Sequence, residues 1–120
     1  MGNIYEYQCR CGYKEKVQIG CGMNAINRTM MEMVFPEEFP QVSGQAGQLS
    51  MENSLAYCAK CKKLMEVATL LVKKEDGSRA CFLKRCATCG SMPEVIADAE
   101  QVKCPKCGAM MERKSCGVWD

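Results

Sequence analysis

The C-terminal third of the chain carries the stretch that decides the fold, Cys86-Ala87-Thr88-Cys89-Gly90, followed by a second of the same form, Cys104-Pro105-Lys106-Cys107-Gly108. Fourteen residues separate the two C-x-x-C pairs, a spacing close to the four-cysteine zinc pattern. Two residues between cysteines let one tight turn direct both sulfurs to one point, and the glycine that follows can adopt positive φ. Each such turn is a zinc knuckle. Two facing knuckles form a zinc ribbon, which holds Zn²⁺ in a tetrahedron of thiolates.

Two further cysteine pairs extend this pattern towards the N-terminus. Cys58 and Cys61 form a full C-x-x-C, whereas a single residue separates Cys9 from Cys11. We therefore predict two Zn²⁺ ions, or one if the shorter pair forms no half-site. The predicted metal ligands are Cys9, Cys11, Cys58, Cys61, Cys86, Cys89, Cys104 and Cys107.

The pairing of the four knuckles is open at this point. Adjacency favours one site from the pairs at 86/89 and 104/107, which leaves 9/11 with 58/61 across a gap of 46 residues. Such a gap is tolerable because loop closure costs only ~0.6 kcal/mol per doubling of length. The alternative joins 58/61 with 86/89 and 9/11 with 104/107. A third assignment puts Cys21 in place of Cys9 or Cys11.

Cysteine and histidine content narrows the function class. The 120 residues include eleven cysteines and no histidine, which excludes a histidine base and a Cys–His nucleophile pair. The N-terminus shows no signal-peptide pattern and no apolar run approaches a membrane span, so we expect a cytoplasmic protein without a membrane partner. In a reducing compartment, paired cysteines indicate metal sites rather than disulfides. All-cysteine zinc sites are usually closed and structural, so we predict that the protein is not an enzyme.

The charge gives little support to a nucleic-acid partner. The formal net charge is +2 with neutral thiols. Each Zn(Cys)₄ site carries −2, so two occupied sites would bring the net charge to −2. The lysines and arginines beside the cysteines are explained more simply by the stabilisation of thiolates than by contacts with phosphates.

Local patterns predict β-hairpins around the knuckles. Alternation favours strands at 4–8 and 13–19, with Cys9 and Cys11 at the hairpin tip. A longer hairpin is predicted over 64–85, with its turn at 75–78 and Cys81 in the apolar core. Methionines at near-helical spacing favour one short helix within 23–35, capped by Asn24 and ended by Pro36. A loop is expected from 36 to 54.

The predicted fold is a small β-rich, metal-stabilised one, with two zinc-ribbon or zinc-knuckle units of β-hairpins and at most one short helix. We place the first unit at 1–22 plus 54–75 and the second at 76–120. The Met-rich segment 23–53 is an insertion between them.

Both ends of the chain resemble known zinc proteins. The opening Ile4-Tyr5-Glu6-Tyr7-Gln8-Cys9 with Cys11-Gly12 is similar to the start of FmdB-type regulatory zinc ribbons, although their usual gap between these cysteines is two residues. The longer layout, with Gly20, Gly22-Met23 and the later cysteine pairs, resembles small bacterial zinc-ribbon proteins. The resemblance leaves 24–55 uncovered and implies zinc binding, with a regulatory role as the family expectation.

Two functions are compatible with these residues, and a third is disfavoured. The first is a structural zinc protein that acts as a binding, adaptor or regulatory module, with a protein as the expected partner and a nucleic acid as the alternative. The second is a rubredoxin-like electron-transfer protein with iron in a Cys₄ site. Zinc-dependent catalysis needs an open coordination position, and eight matched cysteines leave none.

Overall fold

A computed structural model describes residues 2–22, 27–44 and 46–119. It contains seven strands, β1 to β7 in chain order, and two short helices. The strands are Gly2–Gln8, Lys14–Gly20, Ala46–Cys58, Lys63–Lys74, Arg79–Leu83, Glu94–Val95 and Glu112–Trp119, and the helices are α1 (Arg28–Val34) and α2 (Phe39–Val42). The predicted β-rich fold is confirmed, although it has two helices rather than at most one.

The strands form one antiparallel sheet in the order β5-β4-β3-β2-β1-β7, with β6 paired to β3. The predicted hairpin at the N-terminus is confirmed as β1–β2, whose register runs from Gly2 opposite Gly20 to Gln8 opposite Lys14. The C-terminal β7 returns to pair with β1, while β2 and β3 are paired only through Gly20 and Asn53. The sheet therefore narrows to one residue pair between a β7-β1-β2 part and a β3-β4-β5 part.

The predicted hairpin between the second and third cysteine pairs is also confirmed. It consists of β4 and β5, joined at Gly77, which has φ 90°. The Asp76 carboxylate accepts hydrogen bonds from the backbone N–H and the hydroxyl of Ser78, at 2.8 and 2.6 Å. Local turn chemistry thus determines where this hairpin reverses.

The predicted loop over 36–54 is wrong. Its first part contains α2, with Pro40 in the first helical turn where no N–H is needed. Its second part belongs to β3, which pairs with β4 from Ala46 to Cys58. The strand contains glycine, serine and asparagine, which have low β-propensity, so pairing with the apolar β4 determines its conformation.

Helix α1 begins at Arg28, after the N-cap residue Asn27. The Asn27 side chain accepts a hydrogen bond from the N–H of Met30 at 3.1 Å and caps the helix. The chain leaves helical geometry at Phe35, immediately before Pro36, because a residue that precedes proline disfavours the α region. The predicted cap Asn24 and the predicted helical residues Met23 and Ile26 lie outside the described residues.

Two apolar clusters pack on one face of the β3–β4 hairpin. Near the β4–β5 turn, α1 and α2 cover the hairpin with Met31, Phe35, Phe39 and Val42, which pack on Leu49, Leu70 and Val72. Near the other end, side chains from β1, β2 and the segment before β7 pack on Leu55 and Leu64. The second cluster includes Tyr7, Val17, Val102, Met111 and two of the predicted ligands, Cys9 and Cys104.

Cys81 does not belong to this core, contrary to the prediction. Ala80 and Phe82 pack against the helix-covered cluster, and successive strand residues alternate between faces. Cys81 is consequently exposed on the opposite face.

Trp119, at the end of β7, packs against the first residue of β1 and the end of β2. Its Nε1 donates a hydrogen bond to the carbonyl of Ile19 at 3.2 Å, and its indole fills the space that a side chain at Gly2 would occupy.

None of the helices within 2–22, 27–44 and 46–119 is long and apolar enough to cross a bilayer.

Replacing Phe35 by alanine should lower the free energy of unfolding of the metal-loaded protein by about 3–5 kcal/mol. Phe35 is 0% exposed at the centre of the helix-covered cluster, so truncation leaves a cavity there. Urea unfolding measures the loss. The matched control is Met33→Ala on α1, where the side chain is 70% exposed and the expected change is within about 0.5 kcal/mol. Equal stability of the two variants would contradict this packing.

Candidate metal centres

Two of the four knuckles lie at hairpin tips, and the other two lie in segments that connect strands. Cys9 and Cys11 lie at the tip of β1–β2, and Cys58 and Cys61 lie at the tip of β3–β4. The other two knuckles are in irregular segments, after β5 and before β7. Each centre therefore combines one knuckle on a hairpin tip with one from a connecting segment.

The two connecting knuckles share one hydrogen-bond frame. The N–H of Cys86 donates to the carbonyl of Ser91 at 2.9 Å, and the N–H of Cys104 donates to that of Ala109 at 2.7 Å. In each turn the glycine N–H donates to the carbonyl of the first cysteine at 2.8 Å. Gly90 and Gly108 have φ of 75° and 80°, the left-handed geometry that glycine adopts without strain.

The shortened Cys9–Cys11 knuckle keeps this frame with one residue fewer. The N–H of Cys9 donates to the carbonyl of Tyr13 at 2.9 Å, and the N–H of Gly12 donates to the carbonyl of Cys9 at 2.9 Å. Gly12 has φ 101°. The missing residue therefore tightens the turn without removing its closing hydrogen bonds.

The Cys58–Cys61 knuckle has a lysine where the other three have glycine. Lys62 has φ 52° and is the one non-glycine residue with positive φ among the described residues. A left-handed conformation costs a side-chain-bearing residue roughly 1–2 kcal/mol. Formation of the knuckle and of the β3–β4 ladder offsets this cost. The sequence analysis did not predict the left-handed conformation of Lys62. The available signal was its position after the second cysteine, where the other three knuckles have glycine.

Centre 1 consists of Cys9, Cys11, Cys104 and Cys107. The Sγ atoms of Cys9 and Cys107 lie 3.4 Å apart, and those of Cys11 and Cys104 lie 3.7 Å apart. A tetrahedral ion with Zn–S bonds of ~2.3 Å requires sulfur–sulfur edges of ~3.8 Å. Four convergent thiols at this spacing fit a single Zn²⁺ ion.

Centre 2 consists of Cys58, Cys61, Cys86 and Cys89. Here the Sγ atoms of Cys58 and Cys89 lie 3.5 Å apart, and those of Cys61 and Cys86 lie 3.8 Å apart. The N–H of Cys61 points at the Cys58 sulfur at 3.4 Å, as the N–H of Lys106 does at the Cys104 sulfur in centre 1. These N–H groups are suited to stabilising a thiolate.

The favoured sequence pairing is wrong, and the alternative pairing is the observed one. The structure brings together all eight predicted ligands, but 9/11 meets 104/107 and 58/61 meets 86/89. Adjacency along the chain was misleading because β7 pairs with β1 and carries the knuckle that precedes it to the N-terminal hairpin. Neither centre lies within one of the two predicted units.

The cysteines are free thiols rather than disulfides throughout the described residues. Hydrogen bonds from the Ser91 hydroxyl and backbone N–H lower the pKa of the Cys89 thiol to about 6. The backbone N–H groups of Cys89 and Thr88 lower the pKa of Cys86. In centre 1, although burial opposes it, N–H groups of Lys106 and Cys107 lower the pKa of Cys104 to about 7. In the same centres the pKa of Cys61 is raised to about 12 by the neighbouring Cys89 sulfur and by burial, and the pKa of Cys9 is raised to about 12 although the Cys11 N–H opposes this. Each metal-free centre thus contains both a thiol that ionises near neutral pH and a thiol that stays protonated.

Tyr13 connects the two centres and was not singled out from the sequence. Its hydroxyl accepts a hydrogen bond from the N–H of Leu64 at 2.9 Å and donates to the Glu15 carboxylate at 3.2 Å. Burial raises the pKa of Tyr13 to about 12, so the phenol remains protonated. Tyr13 follows the Cys9–Cys11 knuckle and Leu64 follows the Cys58–Cys61 knuckle, so this bond fixes the two hairpin tips relative to each other.

The remaining cysteines lie outside both centres. Cys21, the alternative ligand, donates a hydrogen bond to the Glu52 carboxylate at 3.6 Å. Cys81 and Cys116 are exposed. The substitution of Cys21 for Cys9 or Cys11 is therefore not observed.

Comparison of this chain with protein-family models, curated proteins and solved structures gave no match. The resemblance to FmdB-type and other small bacterial zinc ribbons therefore stays a prediction, and the centres are interpreted from their own geometry.

Replacing Lys62 by glycine should raise the melting temperature of the metal-loaded protein, with a gain of roughly 1 kcal/mol, because it relieves the left-handed strain. The matched control is Lys60→Gly in the same knuckle. Positive φ is not found at this position, so the added backbone freedom should destabilise the protein by up to about 1 kcal/mol. A loss of stability in Lys62→Gly would contradict the strain at this position.

Lowering the pH should release the metal of centre 2, because protons compete with the metal for its four thiolates. In the metal-free centre the pKa of Cys89 lies at about 6 against an ordinary 9.0. The contribution of Cys89 to the stability of the metal-free fold is therefore complete above about pH 9 and is lost as the pH falls through about 6. Zinc release followed with a chromogenic chelator measures the midpoint. Ser91→Ala removes a hydrogen bond to the thiolate and should move this midpoint to higher pH, and an unchanged midpoint would contradict the role of Ser91.

Proposed function

We propose that this chain is a cytoplasmic zinc protein whose two Cys₄ centres are structural, and that it acts as a non-catalytic adaptor or regulatory module. The observation that carries the proposal is the convergence of eight cysteines into two groups of four, whose Sγ atoms all lie within 4.8 Å of one another and include pairs at 3.4 to 3.8 Å. Those separations match the edges of a zinc–thiolate tetrahedron.

A structural role is supported by the way the centres hold the chain. Centre 1 joins residues that are 98 positions apart in the sequence. Its buried members, Cys9 and Cys104, are part of an apolar cluster. Structural zinc supplies about 10–16 kcal/mol of apparent binding energy in small zinc domains, which is comparable to the whole stability of a small domain.

A non-catalytic role is supported by the ligand set. Catalytic zinc usually keeps three protein ligands and an open position for water, whereas each centre here offers four thiols. The sequence contains no histidine to act as a base near either centre.

A protein partner is favoured over a nucleic acid by the position of the aromatic side chains. Single strands are held by exposed aromatic rings beside cations. Tyr7 is 1% exposed, Phe82 packs on the helix-covered cluster, and the Arg113 guanidinium covers Tyr5 at 4.4 Å from the ring centroid. By contrast, apolar Met92 and Met110 are exposed, each three residues beyond a cysteine of a centre. Adaptable methionine side chains suit protein contacts.

A rubredoxin-like electron-transfer protein is the second candidate. Tetrahedral S₄ sites suit iron as well as zinc, and Cys11 and Cys107 of centre 1 are exposed, as an electron-transfer site requires. Visible absorbance and the iron content of the purified protein separate the two candidates.

Native mass spectrometry and elemental analysis of protein purified without added metal should find two zinc ions per chain. Cys107→Ser and Cys89→Ser should each leave one ion, because each removes a ligand from a different centre. Cys116→Ser, which alters an exposed cysteine outside both centres, should retain two. Iron in place of zinc would favour the second candidate, and no bound metal would contradict both.

Double variants test which knuckles share a metal. Cys9→Ser with Cys107→Ser alters centre 1 alone and should leave one zinc ion. Cys9→Ser with Cys58→Ser alters both centres and should leave none. The reverse result would restore the pairing that the sequence favoured.

A further inference from the structure

The two centres differ in the exposure of their sulfurs. In centre 1 the second cysteine of each knuckle, Cys11 or Cys107, is exposed, whereas the equivalent Cys61 and Cys89 of centre 2 are only half-buried. Oxidation of a thiolate requires direct contact with the oxidant, so it follows thiolate character and exposure. A metal-bound cysteine is a thiolate in either centre, so the greater exposure of Cys11 and Cys107 makes centre 1 the more reactive one.

Two cavities are lined by cysteine residues of centre 1. Cys9 lines an open cavity of about 440 Å³ together with Arg10, Met110 and Glu112. Cys104 lines a second cavity of about 320 Å³ with Leu64 and Val102. Peroxide and small thiols, which are only a few atoms in size, can therefore approach centre 1 from more than one side.

A protecting hydroxyl is present in centre 2 and missing in centre 1. Ser91 is two residues beyond Cys89, and its hydroxyl and backbone N–H lower the pKa of that thiol. Ala109 occupies the equivalent position two residues beyond Cys107. Hydrogen bonds to a metal-bound thiolate tune its reactivity, and the Cys107 sulfur lacks this one.

The geometry of centre 1 prepares one disulfide. The Sγ atoms of Cys107 and Cys9 lie 3.4 Å apart, against ~2.05 Å in a disulfide. The exposed Cys107 is placed to react with the oxidant. The buried Cys9 is placed to attack the oxidised Cys107 sulfur. Centre 2 has a contact of similar length, 3.5 Å between Cys58 and Cys89, so the distance alone does not distinguish the centres. The two centres are distinguished by the exposure of their second cysteines and by the Ser91 hydroxyl.

We propose that centre 1 is a peroxide-sensitive zinc centre that releases its ion when Cys107 and Cys9 form a disulfide, while centre 2 keeps its ion. This inference rests on the proposed zinc-binding function and assigns that function a redox regulation. The oxidant is hydrogen peroxide, and a small thiol acts as reductant in the return step.

The reaction balances in two steps. The Cys107 thiolate attacks one peroxide oxygen, the O–O bond breaks, and sulfenic acid and hydroxide form. The Cys9 thiolate then attacks the Cys107 sulfur, the S–S bond forms, and a second hydroxide leaves. Two thiolates have lost one electron each, and peroxide has gained both. Cys11 and Cys104 take up two protons and the two hydroxides take up two more, which gives one disulfide, two thiols, free Zn²⁺ and two water molecules.

The experiment uses zinc-loaded full-length protein with Cys21→Ser, Cys81→Ser and Cys116→Ser, which removes the cysteines outside the centres. Metal content is measured first, and this count alone tests the proposed zinc-binding function. Equimolar hydrogen peroxide is then added. A chromogenic chelator follows zinc release, and mass spectrometry identifies the disulfide.

We expect release of one zinc ion per chain with a disulfide between Cys9 and Cys107. Release from centre 1 should be at least about tenfold faster than release from centre 2. Addition of dithiothreitol and zinc should restore two ions per chain. Release from both centres at similar rates, release from centre 2 first, or retention of both ions in excess peroxide would overturn the proposal.

Two matched variants test the role of the hydroxyl. Ala109→Ser introduces it beside Cys107 and should slow release from centre 1 by about threefold or more. Ser91→Ala removes it from centre 2 and should accelerate release there. Unchanged rates in both variants would overturn the protection assigned to Ser91.

Discussion

The convergence of four cysteine sulfurs on one point is the constraint on which the rest of this structure depends. Thiolates whose sulfurs lie 3.4 to 3.8 Å apart repel one another in a partly dry site, and a metal ion among them would offset this repulsion. In return, each group of four connects chain segments that the two small apolar clusters would hold only weakly. Each group lies within one part of the sheet, and the two parts are joined instead by the Gly20–Asn53 pair and by the apolar cluster that packs Tyr7 and Val17 on Leu55 and Leu64.

Three knuckles share one hydrogen-bond frame, and the fourth shares with them a residue of positive φ after its second cysteine. Two use the ordinary C-x-x-C-G form, one loses a residue and keeps its closing hydrogen bonds, and one places Lys62 in the left-handed region. The frame is preserved because it directs N–H groups and both sulfurs to one side. What varies is the surroundings. Two of the four cysteines of centre 1 are exposed, whereas all four of centre 2 are buried or half-buried.

Much of the fold was readable from short segments. Alternation and turn chemistry located the β1–β2 and β4–β5 hairpins, because those signals act between residues that are close in sequence. The strand β3 was missed because its own residues disfavour a strand, and the long register with β4 supplies what local propensity lacks. Cys81 was misplaced for a related reason, since the side of a strand that faces the core depends on where α1 and α2 pack.

The sequence by itself determined the ligand set, because the spacing of two cysteines within a knuckle is a local property that a tight turn imposes. It also determined that histidine chemistry is absent. Only the tertiary structure decided which knuckles meet, because that depends on β7 pairing with β1 across more than a hundred residues. The same long-range packing determines which sulfurs are exposed and joins the hairpin tips through Tyr13. Spacing along a chain carries no information about contacts of this range, since loop closure is nearly indifferent to loop length.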